Sequence, residues 1–238
     1  MRLENIVWDA RDPRRLGRFW AAAVGGEAIT DEPDIVEVRL RLRDQFFLDL
    51  CFPRVASPST SPVRLHPALA GGTPYEESVQ RLLDLGAEHI PGRGDDCGIS
   101  LADPEGNPFY VPEDREIYRN AGPVAAVRLD SADPDRDVVF WATITGWVPD
   151  AGPSGVATLR HPCGTGPLLE LCPEREPKRG KNRLHLDVRR EAGDGDIVER
   201  LPERGATALT RPGDLPWLVF ADPSGNEFCV LDEAPRGR

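Results

Sequence analysis

An internal repeat constrains the fold of this chain more than any other feature of its sequence. Residues 103–107 (Asp-Pro-Glu-Gly-Asn) recur as residues 222–226 (Asp-Pro-Ser-Gly-Asn), 119 positions further on (103 to 222). Further matches in the same order are 64–66 with 183–185, 79–82 with 198–201, Asp12-Pro13 with Asp133-Pro134, Phe19-Trp20 with Phe140-Trp141, and 48–51 with 169–172. The repeat predicts two homologous domains, residues 1–117 and 122–238, which meet at residues 120–123.

The first half divides into two modules, about 1–60 and 61–117, each with the order β-α-β-β-β. We expect a helix from Asp12, a good N-cap, to about residue 24, with Pro13 at its first position. Its apolar face consists of Leu16, Phe19, Trp20 and Ala23. A second helix is expected over residues 74–85. Strands are expected near residues 3–9, 27–30, 35–42, 46–52, 63–66, 87–90, 98–101 and 108–112.

The second half repeats this order in modules of about 122–178 and 179–238. Its helices are expected near residues 134–145 and 194–204. Its strands are expected near residues 124–130, 147–149, 155–161, 167–173, 183–189, 206–210, 216–221 and 226–231. The chain is therefore predicted to be an α+β protein of four β-α-β-β-β modules.

Composition excludes several classes of partner. The 238 residues carry a net charge of -11, so the surface repels nucleic-acid phosphates and anionic lipid. No apolar run reaches the ~18 residues of a membrane span, and the acidic N-terminus does not read as a signal peptide. The five cysteines form no C-x-x-C pair, which favours a reducing compartment. We therefore expect a cytoplasmic protein, monomeric or homodimeric, with a small-molecule partner and no nucleic-acid or membrane partner.

The repeated motifs resemble those of one family. Phe-Trp in the first helix of each half, Arg183-Leu184-His185 at the start of the last module, and both D-P-x-G-N segments resemble the vicinal oxygen chelate superfamily. Within it they are most similar to the glyoxalase-like (glyoxalase/bleomycin resistance) branch, in a tandem two-domain form. The resemblance covers essentially the whole chain and implies two open barrels with outer helices, each with a ligand cleft inside.

The resemblance also implies where a divalent metal would bind. Metalloenzymes of this family place His, Glu and Gln ligands on the first and last strands of each module, where the metal polarises substrate oxygens. In the second half, Glu170 and His185 stand at or near such positions, and they are the predicted catalytic and metal-binding pair. Cys229 stands where a metal-binding Glu is expected, and Arg128 is near the opening-strand position.

The corresponding positions in the first half are Asp49, His66, Tyr110 and either Asn5 or Val7. Tyr110 replaces the expected Glu, so this ligand set is also incomplete. We expect the second half to carry the chemistry, because its set is the better of the two. The bound metal, if there is one, would be Zn, Ni, Mn or Fe.

Aromatic side chains are candidates for contact with a planar or cationic ligand. Trp8 on a first strand, Phe47 on a last strand and Trp217 near a third strand join Asp49, His66, Tyr110, Arg128 and Cys229 as predicted ligand-binding residues. Ordinary packing is the alternative for each aromatic residue.

Two functions remain open. The first is metal-free binding of a small planar or cationic molecule, for sequestration or resistance, which fits the broken ligand set and the acidic surface. The second is a metal-dependent lyase, isomerase or dioxygenase that uses Glu170 and His185. The sequence leaves open whether the chain is an enzyme and whether its modules pair within a half or across halves.

Overall fold

The computed structural model describes residues 1–43, 46–72, 74–92, 98–153 and 155–234. These residues form sixteen β-strands and three α-helices, in the repeating order that the sequence predicts. Cys97 lies outside the described residues. The strands belong to two mixed sheets of eight strands each, which are not closed into barrels.

Sheet 1 combines the first module with the fourth. Its order is β14-β15-β16-β13-β1-β4-β3-β2, and β1 pairs antiparallel with β13 at its centre. The strands are β1 (Arg2–Trp8), β2 (Glu27–Glu32), β3 (Ile35–Arg43), β4 (Phe46–Pro53), β13 (Leu184–Arg189), β14 (Thr207–Ala208), β15 (Leu218–Ala221) and β16 (Glu227–Leu231).

Sheet 2 combines the second module with the third. Its order is β10-β11-β12-β9-β5-β8-β7-β6, and β5 pairs antiparallel with β9 at its centre. The strands are β5 (Leu65–Leu69), β6 (Glu88–His89), β7 (Ile99–Ala102), β8 (Pro108–Val111), β9 (Val124–Ser131), β10 (Val148–Asp150), β11 (Ala157–Arg160) and β12 (Leu168–Pro173).

Each sheet therefore takes one module from each half of the repeat. A four-stranded module leaves one edge of its first strand open, and pairing two first strands covers both edges. The short link between the second and third modules brings β5 beside β9, and the first and fourth modules then pair with each other. Our expectation that the second half carries the chemistry stays a prediction, because each sheet contains strands of both halves.

The helices begin and end where local sequence dictates. They are α1 (Pro13–Val24), α2 (Tyr75–Asp84) and α3 (Pro134–Thr145). The carboxylates of Asp12 and Asp133 accept hydrogen bonds from the backbone of the first turns of α1 and α3, and Gly25 and Gly146 end these helices with positive φ. No helix in the described part of the chain is long and apolar enough to span a bilayer.

The fourth predicted helix, over residues 194–204, is wrong. This segment forms turns and a short 3₁₀ helix at Pro202–Arg204. Gly193 and Gly195 adopt positive φ just before it, and Pro202 lacks an N–H donor, so too few residues remain between them for a stable helix. Leu201 is still fully buried, so the segment keeps its apolar contact with the core without α-helical geometry.

Aromatic residues join the two sheets in one apolar core. Trp20 of α1 packs on Trp8 of sheet 1 at 4.8 Å between ring centroids and on Phe109 of sheet 2 at 5.4 Å. Its indole Nε1 donates a 3.1 Å hydrogen bond to buried Asp103, in the first D-P-x-G-N turn. Trp141 of α3 makes the equivalent bond to Asp222 in the second turn. In each half, therefore, the tryptophan of the Phe-Trp motif on one sheet is hydrogen-bonded to the D-P-x-G-N turn of the other sheet.

Candidate functional site

Each sheet presents one face to the shared core and carries polar side chains on the other. In β13, for example, Leu184, Leu186 and Val188 enter the core, so His185 and Asp187 project to the opposite side. We call the opposite side polar face 1 in sheet 1 and polar face 2 in sheet 2. Face 1 carries Asn5, Asp49, His185, Asp187 and Cys229, and face 2 carries His66, Tyr110, Arg128, Asp130 and Glu170.

Polar face 1 brings together three residues with metal-binding atoms. One ligand atom each from His185, Asp187 and Cys229 lies within 4.8 Å of the other two. Asp187 Oδ1 is 3.4 Å from His185 Nε2, and Asn5 Nδ2 donates a 2.9 Å hydrogen bond to Oδ2 of the same carboxylate. Burial and the adjacent Asp187 raise the pKa of the Cys229 thiol. The cluster resembles a zinc ligand set of mixed donors.

Asp49, also on face 1, is held by an arginine. Arg39 donates two hydrogen bonds to its carboxylate, at 2.9 and 2.6 Å. Burial raises the pKa of Asp49, and the bonds from Arg39 oppose that rise. The guanidinium of Arg39 lies 3.9 Å above the centre of the Phe47 ring, so Phe47 supports the ion pair. Arg39 and Asp49 therefore form an ion pair that Phe47 supports, beside the cluster of three residues.

At the centre of polar face 2, Arg128 and Glu170 form an ion pair. Arg128 Nε lies 3.2 Å from Glu170, whose side chain is almost fully buried. Tyr118, from the link between the second and third modules, donates a 2.9 Å hydrogen bond to the other carboxylate oxygen. Burial raises the pKa of Glu170, while Arg128 and this hydrogen bond oppose the rise. A bound metal ion would have to displace the guanidinium, so Glu170 does not fit a metal-ligand role here.

A cleft of about 510 Å³ opens beside this ion pair on polar face 2. His66, Tyr110, Ser100 and Asp130 line it, together with apolar surface that includes Ile90. The rings of His66 and Tyr110 lie 5.5 Å apart, and His66 Nε2 is 3.8 Å from Asp130. The cleft combines apolar walls with a few convergent polar groups, which is typical of small-molecule sites.

The structure separates the predicted catalytic pair. Glu170 lies on polar face 2 and His185 on polar face 1, so the two do not form one site. Trp8, predicted to contact a ligand, is fully buried between Trp20 and Phe52 instead. The reason is the two-residue period of β1, which places Trp8 with Ile6 in the core and Val7 on the polar face. Trp217 lies just before β15 and is 40% exposed.

Sequence reasoning missed three residues of the two faces. Asp187 follows His185 by two residues, so strand alternation alone predicts that both point the same way. Asp130 follows Arg128 in the same manner. Tyr118 carried no signal, because it comes from a linker whose position over polar face 2 depends on the pairing of the second and third modules.

The fold and the two faces define a tandem protein of paired β-α-β-β-β modules with its candidate sites on the sheet faces opposite the core. The sequence matches the Glyoxalase-like domain family twice, over residues 5–111 and 126–231. The chain therefore belongs to the Glyoxalase-like domain family, as its repeated motifs led us to expect.

Solved structures with the same fold cover nearly the whole chain. Glyoxalase I from Zea mays is 18% identical, with a TM-score of 0.64 over 97% of this chain and 92% of that chain. A candidate dioxygenase from Bacillus subtilis is 13% identical, with a TM-score of 0.63 over 99% of this chain and 86% of that chain. At these identities the likeness establishes the fold alone. Comparison with curated protein sequences gave no significant match.

Proposed function

We propose that the protein binds a small planar molecule, neutral or cationic, in the cleft of polar face 2. The observation that carries this proposal is the cleft itself, about 510 Å³ in volume, with His66 and Tyr110 in its wall. Such a volume is in the range of pockets that enclose drug-sized ligands. Sequestration of the ligand, without chemical change, is the simplest activity that this site supports.

The charges around the cleft favour the stated ligand class. Three carboxylates line it, from Asp130, Glu174 and Glu176, beside the cations Arg64 and Arg179. The Arg64 guanidinium donates a 2.9 Å hydrogen bond to the carbonyl of Glu176, which commits part of its donor capacity to the protein. The net acidic charge of the chain adds a long-range attraction for cations. The Tyr110 ring is almost fully buried, and the part of it that lines the cleft is the surface that would contact a flat or cationic group.

Binding on polar face 2 is proposed to be independent of metal. The Arg128 guanidinium neutralises Glu170, the one carboxylate on the last strand of the third module. The site therefore supplies hydrogen bonds and an aromatic surface to its ligand.

Titration calorimetry with a matched ligand series tests this proposal. The series pairs planar aromatic cations with neutral and anionic compounds of the same size. We expect Tyr110→Ala to weaken binding of the cationic members by roughly tenfold, because stacking on an aromatic ring contributes about 0.5–1.5 kcal/mol. The matched control is Cys229→Ala, the same position of the repeat on polar face 1, which should leave the affinity unchanged.

Two results would contradict this assignment. One is equal weakening by Tyr110→Ala and Cys229→Ala, which would place the ligand elsewhere. The other is tighter binding of the anionic compounds than of the cationic ones, which would reverse the expected charge preference. Both variants shorten a buried side chain and should lower the melting temperature, so each must be shown to be folded at the assay temperature before a loss of binding is assigned to the cleft.

A second candidate function is metal-assisted chemistry at polar face 1. The observation that favours it is Asp187 Oδ1, a buried carboxylate oxygen with no hydrogen-bond donor among the described residues. It faces His185 Nε2 and belongs to the cluster with Cys229. Imidazole, carboxylate and thiolate are all donors that zinc takes, and three protein ligands leave a position open for substrate.

His185, Asp187 and Cys229 fit a divalent metal, and we propose that they would hold it. A metal bound there would act as a Lewis acid toward oxygen atoms of a substrate. Asn5 would hold Asp187 in place through its hydrogen bond, as outer residues commonly do for metal ligands. Zinc suits the thiol best, and nickel, manganese and iron remain the other candidates.

Elemental analysis of the purified protein, loaded with each metal and desalted, tests this second candidate. We expect near-stoichiometric zinc in the parent protein and at least a tenfold loss of affinity in His185→Ala. The matched control is His66→Ala, the equivalent histidine of polar face 2, which should retain the metal. Retention in His185→Ala, or no retained metal in any variant, would remove this candidate function.

A further inference from the structure

A cysteine and a histidine pair at the turn between β11 and β12, away from the polar-face residues described above. Cys163 is exposed, and its Sγ lies 2.9 Å from Nδ1 of His161. The backbone N–H of Cys163 donates a 3.2 Å hydrogen bond to the same Nδ1. Nδ1 must therefore carry a lone pair, and the proton of the neutral ring sits on Nε2. The thiol thus has a base within reach of its proton.

Two aromatic side chains hold the imidazole of His161 in position. The His161 ring stacks on Phe46 with centroids 4.0 Å apart and an interplanar angle of 13°, and it lies edge-on to buried Trp147. Burial against these rings lowers the pKa of His161, so the imidazole is neutral and able to accept a proton near pH 7. The aromatic contacts fix the ring plane, which keeps Nδ1 directed at the turn.

The remaining described cysteines lack these features. Cys51, Cys172 and Cys229 are all buried. Burial raises the pKa of the Cys51 and Cys172 thiols, to about 12 for Cys172, which makes both slow to react as nucleophiles. Nucleophilic reactivity requires a thiolate and access to solvent, and among these four only Cys163 is exposed.

We propose that Cys163, with His161 as its general base, is a site of thiol–disulfide exchange with small disulfides. Sγ attacks one sulfur of the disulfide RS–SR, so a new S–S bond forms and the original one breaks. The thiol proton passes to His161 Nδ1 and then to the departing RS⁻, which leaves as RSH. Cys163 ends as a mixed disulfide, and half of the small disulfide has been reduced to a thiol. The carbonyl of Thr165, 3.6 Å from Sγ, is the competing acceptor for the thiol proton.

Exchange kinetics with dithiodipyridine, an uncharged aromatic disulfide, test the proposal on the full chain with Cys97→Ser. A comparison thiol is introduced by Ser57→Cys, at an exposed loop position between β4 and β5. We expect Cys163 to react at least about tenfold faster than the comparison thiol in the same molecule, since a positioned base accelerates proton transfer by that factor or more. Peptide mass spectrometry locates each adduct.

The histidine is tested separately. His161→Gln should slow the reaction of Cys163 about tenfold and leave the comparison thiol unchanged, because Gln removes the base but keeps a polar group of similar size. Equal rates at Cys163 and the comparison thiol, or an unaltered Cys163 rate in His161→Gln, would overturn the proposal. If His161→Gln does not fold, the rates of Cys163 and the comparison thiol in the protein that keeps His161 still decide the outcome.

Discussion

Polar face 1 and polar face 2 are built from equivalent strands but carry different chemistry. The equivalent positions of the repeat are His185 and His66, Asp187 and Ala68, Cys229 and Tyr110, Val7 and Arg128, and Asp49 and Glu170. Opposite its histidine, face 1 has Val7 and face 2 has Arg128. Face 1 therefore has an uncharged side chain opposite its histidine, while face 2 has a guanidinium there.

This difference shows how one fold separates two kinds of site. The backbone fixes where the side chains of the first and last strands meet, and the residue types at those positions decide what binds there. On face 2 the partly buried Arg128 is the counter-charge of Glu170, and the cleft opens beside this ion pair. On face 1 the arginine that pairs with Asp49 comes from β3, and the group of His185, Asp187 and Cys229 contains no arginine.

Removing the central arginine of face 2 should have the largest effect. We expect Arg128→Leu to lower the free energy of unfolding by about 3–5 kcal/mol, because it leaves the carboxylate of Glu170 buried without its counter-charge. The matched change on face 1, Arg39→Leu, should cost less, about 2 kcal/mol, because Asp49 is also buried but the Arg39 side chain is 26% exposed, so water can reach the carboxylate. Urea unfolding measures both. The double variant Arg128→Leu with Glu170→Leu should regain most of the lost free energy of unfolding. Equal losses in the two single variants would contradict the proposed difference between the faces.

The turns before the last strands of the two faces give the next effect, which depends on pH. Burial raises the pKa of Asp222 to about 6 and also raises the pKa of Asp103. A carboxyl with a raised pKa in the folded state favours folding when it is protonated, so its contribution is present below about pH 4 and is lost as pH rises through about 6. For Asp222 the loss amounts to about 3 kcal/mol.

Equilibrium unfolding from pH 4 to 8 checks this expectation by comparing the parent protein with each aspartate variant. The free energy of unfolding of the parent protein minus that of Asp222→Asn should fall as pH rises across this range, because the variant lacks the titrating group. Asp103→Asn should show a change of the same sign. A difference that stays constant with pH, or rises, would contradict the assignment.

An arginine placed on face 1, at the position equivalent to Arg128, tests whether this residue type prevents metal binding. This prediction rests on the proposed metal site. We expect Val7→Arg to weaken zinc binding about hundredfold, or about 2.7 kcal/mol, because the guanidinium would stand opposite His185. Val7→Met is the control for added size without charge and should change affinity by no more than a few fold. Competition with a chromophoric zinc chelator measures both affinities, and similar losses in the two variants would assign the effect to crowding.

The smallest expected effect concerns the two tryptophan–aspartate hydrogen bonds that join the sheets. Trp141→Phe removes the 3.3 Å hydrogen bond to Asp222, and Trp20→Phe removes the 3.1 Å bond to Asp103. Each change should cost about 1–2 kcal/mol, because each leaves a buried carboxylate with one donor fewer. Equilibrium unfolding in urea tests the pair, and a cost below about 0.5 kcal/mol in both variants would show that these bonds are unimportant.

Local patterns predicted most of the fold. Asp12-Pro13 and Asp133-Pro134 set the starts of two helices, and alternation set the strands, because caps and strand periods are decided within a few residues. The helix predicted over residues 194–204 was wrong, since the repeat suggested a helix there that the flanking glycines and Pro202 prevent.

The candidate sites were predictable only in part. Asp49 and Glu170, and the histidines at 66 and 185, all lie on predicted strands and project from the polar faces. Their grouping was not predictable, because it depends on which first strands pair, and every module offers a similar open edge. The role of Arg128 also depends on this pairing, which brings Tyr118 over the same carboxylate.

Short-range patterns and the repeat were enough to predict a tandem α+β chain of four modules, its family, and the residue types available for binding. The pairing of the first module with the fourth, and of the second with the third, became known from the folded chain. Because contacts across a sheet join residues that are far apart in the chain, this pairing alone separates His185 from Glu170 and places each in a different chemical setting.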